Sequence, residues 1–373
     1  MKIKETLFLL LLITSISAII LFLNGCSSGN IDNPETDGYN RKAMLENIAD
    51  NIILPSYNNL NEKIINLKTS TNNFSDNINN ENLQDLRIKW LQTYKAWQYV
   101  EMFNIGKAEE IYFTSKMNTY PTDITRIETN ISSSSYDLIN QANNFDAQGF
   151  PALDYMLYGL NGDSSLVIDK YLSNEGNKYI AYLNDLVTQI TNNTELVIEY
   201  WNNNKAEFIN SNGNTATSSV NLLTNDFIYY YEKGLRANKI GIPAGVYSGI
   251  LTDRVEGYYR RNISRILVLE ALNASHNFFT GKHFSSNQTG ESLATYLNFI
   301  TKNNNLSDLI ISKFENAKNK VQLLNENFVY QIETNNIDML YAFDAIQENV
   351  VNLKTDMLFE LNISVDYIDA DGD

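Results

Sequence analysis

One short segment near the middle of the chain carries side chains that could do chemistry. It reads Gln148-Gly149-Phe150-Pro151-Ala152-Leu153-Asp154-Tyr155-Met156-Leu157-Tyr158-Gly159. Proline suits a first helical position, where no backbone N–H is needed, so a short helix is predicted from Pro151 to about Gly159. Asp154 and Tyr158 are four residues apart and share one helical face. We expect Asp154 either to offset the helix dipole near the first turn or to contact a ligand or metal, with Tyr158 lining the same cleft.

Glu101 is a second candidate, placed where a predicted helix ends and Phe103-Asn104-Ile105-Gly106 begins. It either faces Asp154 across a helix interface or is a solvated carboxylate at a helix end, which is the usual place for glutamate. Carboxylate and tyrosine oxygens suit hard cations such as Fe(III) better than soft ones. Oxygen chemistry of this kind is compatible with iron or another hard divalent or trivalent cation.

The chain has only two histidines, His276 and His283. Gly281 lies between them and is expected to end the helix, which disfavours a shared metal and favours a histidine at a helix C-terminus. The acidic end of the sequence resembles the start of a calcium loop but lacks the glycine and closing glutamate of that loop, so a frayed tail is expected. Its alternating aspartates are Asp369, Asp371 and Asp373.

Composition excludes several functional classes. The chain of 373 residues has 44 acidic and 28 basic side chains and a net charge of −16. A surface of this charge is unsuited to neutralising phosphates, so we expect no nucleic-acid binding. A single cysteine excludes an internal disulfide, and two histidines exclude a three-histidine metal site. No phosphate-binding glycine loop, Gly-x-Ser-x-Gly elbow or dinucleotide-binding fingerprint is present in the sequence.

The single cysteine follows a secretory signal. Lys2 and Lys4 precede an almost wholly apolar run, and Leu23-Asn24-Gly25-Cys26 comes next. This arrangement is similar to a bacterial lipobox, in which the thiol takes a diacylglycerol and cleavage frees the cysteine amine. Residues 1–25 are thus predicted to be a lipoprotein signal peptide and Cys26 the lipidation site. An uncleaved anchor helix is the alternative, although the apolar run is short for a membrane span.

Lipidation would place the protein in the cell envelope. The polar residues 26–40, with Gly29, Pro34 and Gly38, read as a flexible tether. Ser27 follows the cysteine, so the default is an outer-membrane lipoprotein facing the periplasm, with the cell surface as an alternative. The membrane would be its first partner through the lipid on Cys26.

The remainder of the chain is predicted to be all-α. Apolar residues recur at helical spacing, and no alternating strand run of useful length occurs. Residues 202–217 and 238–249 are predicted loops because they are rich in turn formers. We expect two tandem domains like four-helix bundles, at residues 41–210 and 211–373. The clearest stripe is Leu83, Leu86, Trp90, Tyr94 and Trp97.

Four stretches resemble the imelysin-like family of bacterial envelope proteins, which includes the insulin-cleaving membrane protease and iron-regulated protein A. The segment 148–159 resembles its Gly-x-His-x-x-Glu signature, and Trp90-Leu91-Gln92-Thr93-Tyr94-Lys95-Ala96-Trp97 looks like its early helix. Residues 238–245 with Val255-Glu256 look like its central loop, and the Asp-rich end is similar to a common family ending. The resemblance covers nearly the whole mature chain and implies two helical bundles and an association with iron uptake.

The signature itself is altered. The family histidine falls on Pro151 and the family glutamate on Asp154. Proline has no ligand atom and no titratable group, so a zinc peptidase built on these two positions should not work here. The resemblance also implies that the central loop approaches the signature, which makes Arg254 and Glu256 candidates. The alternative for these two is a surface ion pair.

We therefore predict a non-catalytic envelope lipoprotein in iron-related binding or uptake, with a cleft between the bundles. Predicted ligand-binding residues are Asp154, Tyr158, Glu101, Arg254 and Glu256, and predicted metal ligands are Asp154, Glu101 and Glu256. Envelope proteins of iron uptake are possible partners. The alternatives are a metal-dependent peptidase of the imelysin type and a lipid-anchored interaction scaffold.

Overall fold

The computed structural model describes residues 37–367. Within that range the chain is helical, and its one β feature is an isolated antiparallel bridge between Lys282 and Thr289. The α-helices are α1 (Arg41–Asn47), α2 (Leu54–Asp76), α3 (Asn80–Trp97), α4 (Lys107–Glu110), α5 (Phe113–Asn118), α6 (Ile124–Ser133), α7 (Gly149–Asp154), α8 (Val167–Tyr171), α9 (Gly176–Asn210), α10 (Ser219–Tyr229), α11 (Ile242–Ala244), α12 (Ser264–Thr280), α13 (Leu293–Thr301), α14 (Asn305–Gln322), α15 (Phe328–Val351) and α16 (Leu358–Glu360). The all-α prediction is confirmed.

Wider and tighter helical turns join several of these helices without a loop. The π-helical segments are Ile48–Ile53, Tyr155–Gly159, Tyr230–Gly241 and Asn352–Met357. The 3₁₀ segments are Ala142–Ala147, Leu160–Gly162 and Thr252–Arg254. π turns are frequently found at functional sites, and two of these lie next to the candidate site described below.

The first half of the core is built on α2, which packs against α3 and α9. The predicted stripe on α3 is confirmed, since all five of its side chains are buried. In the second half α15 packs against α14 and the π segment Tyr230–Gly241, and α12 packs against α14. From Tyr39 onward the described residues belong to one compact unit, and contacts between α3 and α12 link the two groups of helices. The division into two bundles at residue 210 stays a prediction.

Pro55 shows how the backbone absorbs a residue that lacks an N–H. The sequence predicts a kink or break there, and the structure instead places a π turn immediately before the proline. Pro55 is the second residue of α2, and the wider π turn before it accommodates a residue that donates no N–H to that turn. The helix therefore continues through Ile48, Ile52 and Tyr57, all of them buried.

Both predicted loops are shorter than expected. α9 extends to Asn210, because Phe208 and Ile209 are buried and Phe208 packs edge-on against Trp201 with ring centroids 5.0 Å apart. This tertiary contact outweighs the turn-forming composition of residues 202–207. In the second predicted loop, residues 238–249, helical structure continues through Ala244. Pro243 lies in the first turn of α11.

The described residues 37–367 contain no helix long and apolar enough to cross a membrane. The predicted signal peptide, Cys26, most of the tether and the aspartates of the C-terminal tail lie outside the described range.

Candidate functional site

The helix of the signature segment begins two residues earlier than the sequence suggests. α7 starts at Gly149, which has a φ of 74°, and Pro151 is the third helical residue. A Cβ on Gly149 would lie 2.2 Å from the carbonyl oxygen of Met117, so the segment needs glycine for conformation and for space. Phe150, Leu153 and their neighbours pack into the core.

Asp154 is the sixth residue of α7 and not a first-turn residue, so the dipole interpretation is wrong. Its side chain is 2% exposed. Its carboxylate accepts hydrogen bonds from the backbone N–H groups of Tyr259, at 2.8 Å, and Arg260, at 2.9 Å. Burial raises the pKa of Asp154 to about 7, against the lowering effect of these two bonds. Asp154 thus fixes the loop that follows Glu256.

Asp154 and Pro151 line a cavity of about 320 Å³, together with Tyr120 and Asp253. We call it the small cavity. Tyr158 does not line it. Its ring lies 4.5 Å from the Arg87 guanidinium carbon and 5.3 Å from that of Arg260.

Glu101 and Glu256 converge on a lysine. Lys239 Nζ lies 2.9 Å from both carboxylate oxygens of Glu256 and 3.1 Å from Oε2 of Glu101. The side chains of all three are at most 7% exposed. Burial alone would lower the pKa of Lys239, but the charges of Glu101 and Glu256 raise it above its usual value. The three residues carry a net charge of −1 when all are ionised.

Two amides complete this arrangement. Asn118 Nδ2 donates to Glu101 Oε1 at 2.7 Å and to Glu256 Oε1 at 2.9 Å. Gln98 Nε2 donates to Glu256 Oε1 at 3.2 Å. The Asn118 amide is held in place by Tyr94, whose hydroxyl lies 2.6 Å from Asn118 Oδ1. We call Gln98, Glu101, Asn118, Lys239 and Glu256 the buried network.

Glu101 and Asn118 also line a larger cavity of about 520 Å³, which we call the large cavity. Its lining residues come from 101–120 and from 226–254, on either side of residue 210. Arg254 is exposed on this lining, and Glu256 pairs with Lys239 rather than with Arg254. Further charged and aromatic lining residues are Glu109, Tyr112, Tyr120, Asp226, Tyr229, Tyr230 and Lys233. Tyr120 lines both cavities and lies between them.

Asp226 on the wall of the large cavity holds its proton unusually strongly. Burial, together with the charges of Asp366 and Glu109, raises the pKa of Asp226 to about 7. Near neutral pH this carboxyl is therefore part protonated and can donate or accept a hydrogen bond.

The three predicted metal ligands do not gather at one point. Glu101 and Glu256 share Lys239, whereas Asp154 binds backbone amides elsewhere. Across residues 37–367, no three His, Cys, Asp or Glu side chains lie close enough to hold a metal ion together. His276 stacks on Phe314 with ring centroids 5.4 Å apart, and burial, together with nearby Lys318, lowers its pKa to about 4. Metal binding at the predicted residues stays a prediction.

Sequence reasoning missed Lys239, Asn118 and Gln98. One signal was available for the lysine, because Tyr231, Leu235 and Lys239 follow one another at steps of four. A lysine that continues a buried apolar stripe requires a buried partner. No local pattern marks Asn118 or Gln98, whose partners are distant in sequence.

The overall structure is similar to two solved structures. An imelysin-like protein from Psychrobacter arcticum 273-4 superposes with a TM-score of 0.71 and 17% identity, over 88% of this chain and 97% of that chain. A protein described as a "putative iron-regulated protein A precursor" from Parabacteroides distasonis ATCC 8503 gives a TM-score of 0.65 and 15% identity, over 86% of this chain and 95% of that chain. A comparison with curated proteins finds no match. The Imelysin family model (peptidase M75) matches residues 53–353, and the chain therefore belongs to the imelysin family.

Proposed function

We propose that this chain is a non-catalytic binding protein of the cell envelope that holds an iron-containing small molecule in the large cavity. The observation that carries the proposal is the cavity itself. It has about 520 Å³ of space, a size typical of small-molecule sites, and Glu101 of the buried network forms part of its lining. Its walls combine carboxylate oxygens with aromatic rings, as small-molecule sites commonly do.

The surrounding chemistry favours a chelated iron over a bare ion. Lys239 already occupies the position between Glu101 and Glu256 where a cation would sit. Burial raises the pKa of Tyr120 and Tyr230 well above the usual value, and the charges of Glu101 and Glu256 add to this. Both phenols are thus hydrogen-bonding groups rather than ready phenolate ligands. A chelate brings its own iron ligands, so the protein needs to recognise only the organic shell.

Two further observations support the iron and envelope parts of the proposal. The Parabacteroides distasonis protein is described as iron-regulated and as a precursor, which fits an exported protein in an iron response. The lipobox-like Leu23-Asn24-Gly25-Cys26 fits an outer-membrane lipoprotein, facing the periplasm or the cell surface. Its possible partners are then the membrane and the envelope proteins of iron uptake.

Isothermal titration calorimetry on residues 27–373 tests the proposal. Ferric citrate, haemin and a ferric trihydroxamate are the probes, and saturable binding of at least one is expected. Ser115 lines the large cavity, so Ser115→Trp should fill it and abolish binding, whereas exposed Ser132→Trp should not. The absence of binding by every probe, or binding that survives Ser115→Trp, would contradict the proposal. A stoichiometric membrane partner with no ligand bound would favour the scaffold alternative.

The family model keeps a peptidase as the second candidate. The signature segment argues against a peptidase, because Pro151 has no ligand atom and the Asp154 carboxylate already accepts hydrogen bonds from two backbone amides. We expect no chelator-sensitive cleavage of a peptide such as insulin B chain. Cleavage that disappears both with chelator and in Asp154→Ala would establish the peptidase instead.

A further inference from the structure

Three arginines lie over the rings of two tyrosines, and none of them lines the large cavity. The guanidinium carbon of Arg87 lies 4.5 Å from the centre of the Tyr158 ring, and that of Arg260 lies 5.3 Å from the same centre. The guanidinium carbon of Arg261 lies 4.3 Å from the centre of the Tyr258 ring. We call Arg87, Arg260 and Arg261 the arginine group. The proposed function gives no role to any of these side chains.

The arginine group has no carboxylate within ion-pair distance in the part of the chain that the structure describes, whereas Arg126 and Arg265 each pair with one. Arg87 donates to backbone carbonyls through Nε and Nη2, which leaves Nη1 available. Burial and the charge of Arg260 both lower the pKa of Arg87. The two guanidinium groups on one ring therefore repel each other, and a bound anion would relieve this repulsion.

Asp154 offsets only part of this positive charge. Its carboxylate accepts hydrogen bonds from the backbone N–H groups of Tyr259 and Arg260. Burial raises the pKa of Asp154 to about 7, against these bonds and the charges of Arg260 and Arg261. Near neutral pH this carboxyl is only part ionised, whereas guanidinium groups keep their charge. The arginine group is thus a local surplus of positive charge on a chain with a net charge of −16.

The loop that carries two of these arginines presents them to solvent. Arg260 and Arg261 are half-buried, and neither guanidinium has an enclosed nitrogen that lacks a partner. Arg261 has a φ of 71°, a left-handed conformation that is uncommon for a non-glycine residue and recurs where a loop clamps a ligand. Its backbone N–H donates to the Gly257 carbonyl at 2.9 Å, which closes the turn. The fold therefore holds Arg261 in a conformation that arginine does not favour by itself.

We propose that the arginine group binds a phosphate monoester, with Arg260 and Arg261 as the main donors and Arg87 Nη1 as a third. The guanidinium fork matches phosphate oxygens in charge and geometry. A phosphate monoester has three acceptor oxygens around one centre, so it can accept from several guanidinium groups at once. The phosphate belongs to a soluble compound or to a lipid headgroup of the membrane where the predicted lipid on Cys26 would place the chain. This site is separate from the large cavity and does not depend on the proposed function.

Two probes with the same headgroup chemistry test the proposal on residues 27–373. Calorimetry with glycerol phosphate is the soluble arm, and flotation with phosphatidylcholine vesicles, with and without phosphatidic acid, is the lipid arm. At low ionic strength we expect saturable binding in at least one arm. Arg260→Gln and Arg261→Gln should each weaken it at least about tenfold, the scale of a hydrogen bond to a charged group. Arg126→Gln removes the same charge from an arginine paired with Asp146 at 3.1 Å and should leave binding unchanged.

The outcomes separate the two sources of phosphate. Binding of glycerol phosphate without vesicle binding identifies a soluble ligand, and vesicle binding that requires phosphatidic acid identifies a lipid headgroup. No binding in either arm overturns the proposal, as does binding that survives both substitutions or that falls equally in Arg126→Gln. Arg261→Gly separates binding from folding, because glycine adopts a φ of 71° without strain. This variant should lose affinity while its midpoint of thermal unfolding is not lowered.

Discussion

The ammonium of Lys239 lies 2.9 Å from each carboxylate oxygen of Glu256, and both side chains are almost wholly buried. The lysine follows α10 on the π segment Tyr230–Gly241, and the glutamate follows the short 3₁₀ turn Thr252–Arg254. Their pairing, with Glu101 as the third member, ties both segments to the end of α3. The buried ammonium of Lys239 thus holds the carboxylates of Glu101 and Glu256 in position.

Replacing Lys239 with methionine should destabilise the protein strongly. The change leaves two carboxylates buried close together without a counter-charge, and breaking a buried pair in this way costs about 3–5 kcal/mol. Urea unfolding followed by circular dichroism measures the loss. Lys42→Met is the control, because its pair with Glu46 spans 4.0 Å and is half exposed, and it should change stability by less than about 1 kcal/mol. Similar effects of the two substitutions would contradict the role of Lys239.

Asp154→Asn should loosen the loop that carries Glu256. Asparagine has one acceptor oxygen where the carboxylate has two, so one of the amides of Tyr259 and Arg260 loses its partner. The expected cost is about 1–3 kcal/mol, with faster hydrogen exchange at these amides. Asp356→Asn, at an exposed position, is the control and should change neither quantity. Unchanged exchange at residues 257–262 would show that Asp154 does not hold the loop.

Gly149→Ala should destabilise the signature helix. A φ of 74° alone costs a non-glycine residue about 1–3 kcal/mol, and the new Cβ would also collide with the Met117 carbonyl. Gly213→Ala is a matched control, because its Cβ would meet nothing within 4 Å, and it should stay within about 0.5 kcal/mol of wild type. Thermal unfolding distinguishes the two. Equal melting temperatures for both variants would refute this account of Gly149.

Asp226 should make the folded protein less stable as the pH rises. Its pKa is about 7 in the folded protein and 3.8 ordinarily, so between these values the folded state binds more protons. The raised pKa of Asp226 adds to the free energy of unfolding in full below about pH 4, and this addition is lost as the pH rises through 7. Asp226→Asn should therefore resemble wild type near pH 4 and be more stable near pH 8. Urea unfolding across this range tests the sign, with exposed Asp344→Asn as control.

Cys26→Ala should abolish lipid attachment. The expected result is incorporation of a labelled fatty acid into the wild type and none into the variant, which should then leave the membrane fraction. A matched Ser27→Ala variant should keep its label. Equal labelling of wild type and Cys26→Ala would exclude the lipobox interpretation.

The sequence alone was sufficient for much of the fold. The spacing of Leu83, Leu86, Trp90, Tyr94 and Trp97 marks a helical face, and burial of that face follows from the hydrophobic effect without knowledge of its neighbours. The same local logic identified Gly281 as the residue that ends α12, where a φ of 69° favours glycine. The family was also evident, since its motifs are contiguous segments.

Tertiary structure decided the rest, because the remaining questions depend on residues distant in sequence. Residues 202–210 have turn-forming composition, but they are helical because Phe208 packs on Trp201. Asp154, chosen from a local motif, proved to bind the backbone of a remote loop. Glu101 and Glu256 were singled out from the sequence as candidates, but only the fold places Lys239 between them. A buried charge is tolerated only with its partner, and no local pattern in a single sequence specifies which distant residue that partner is.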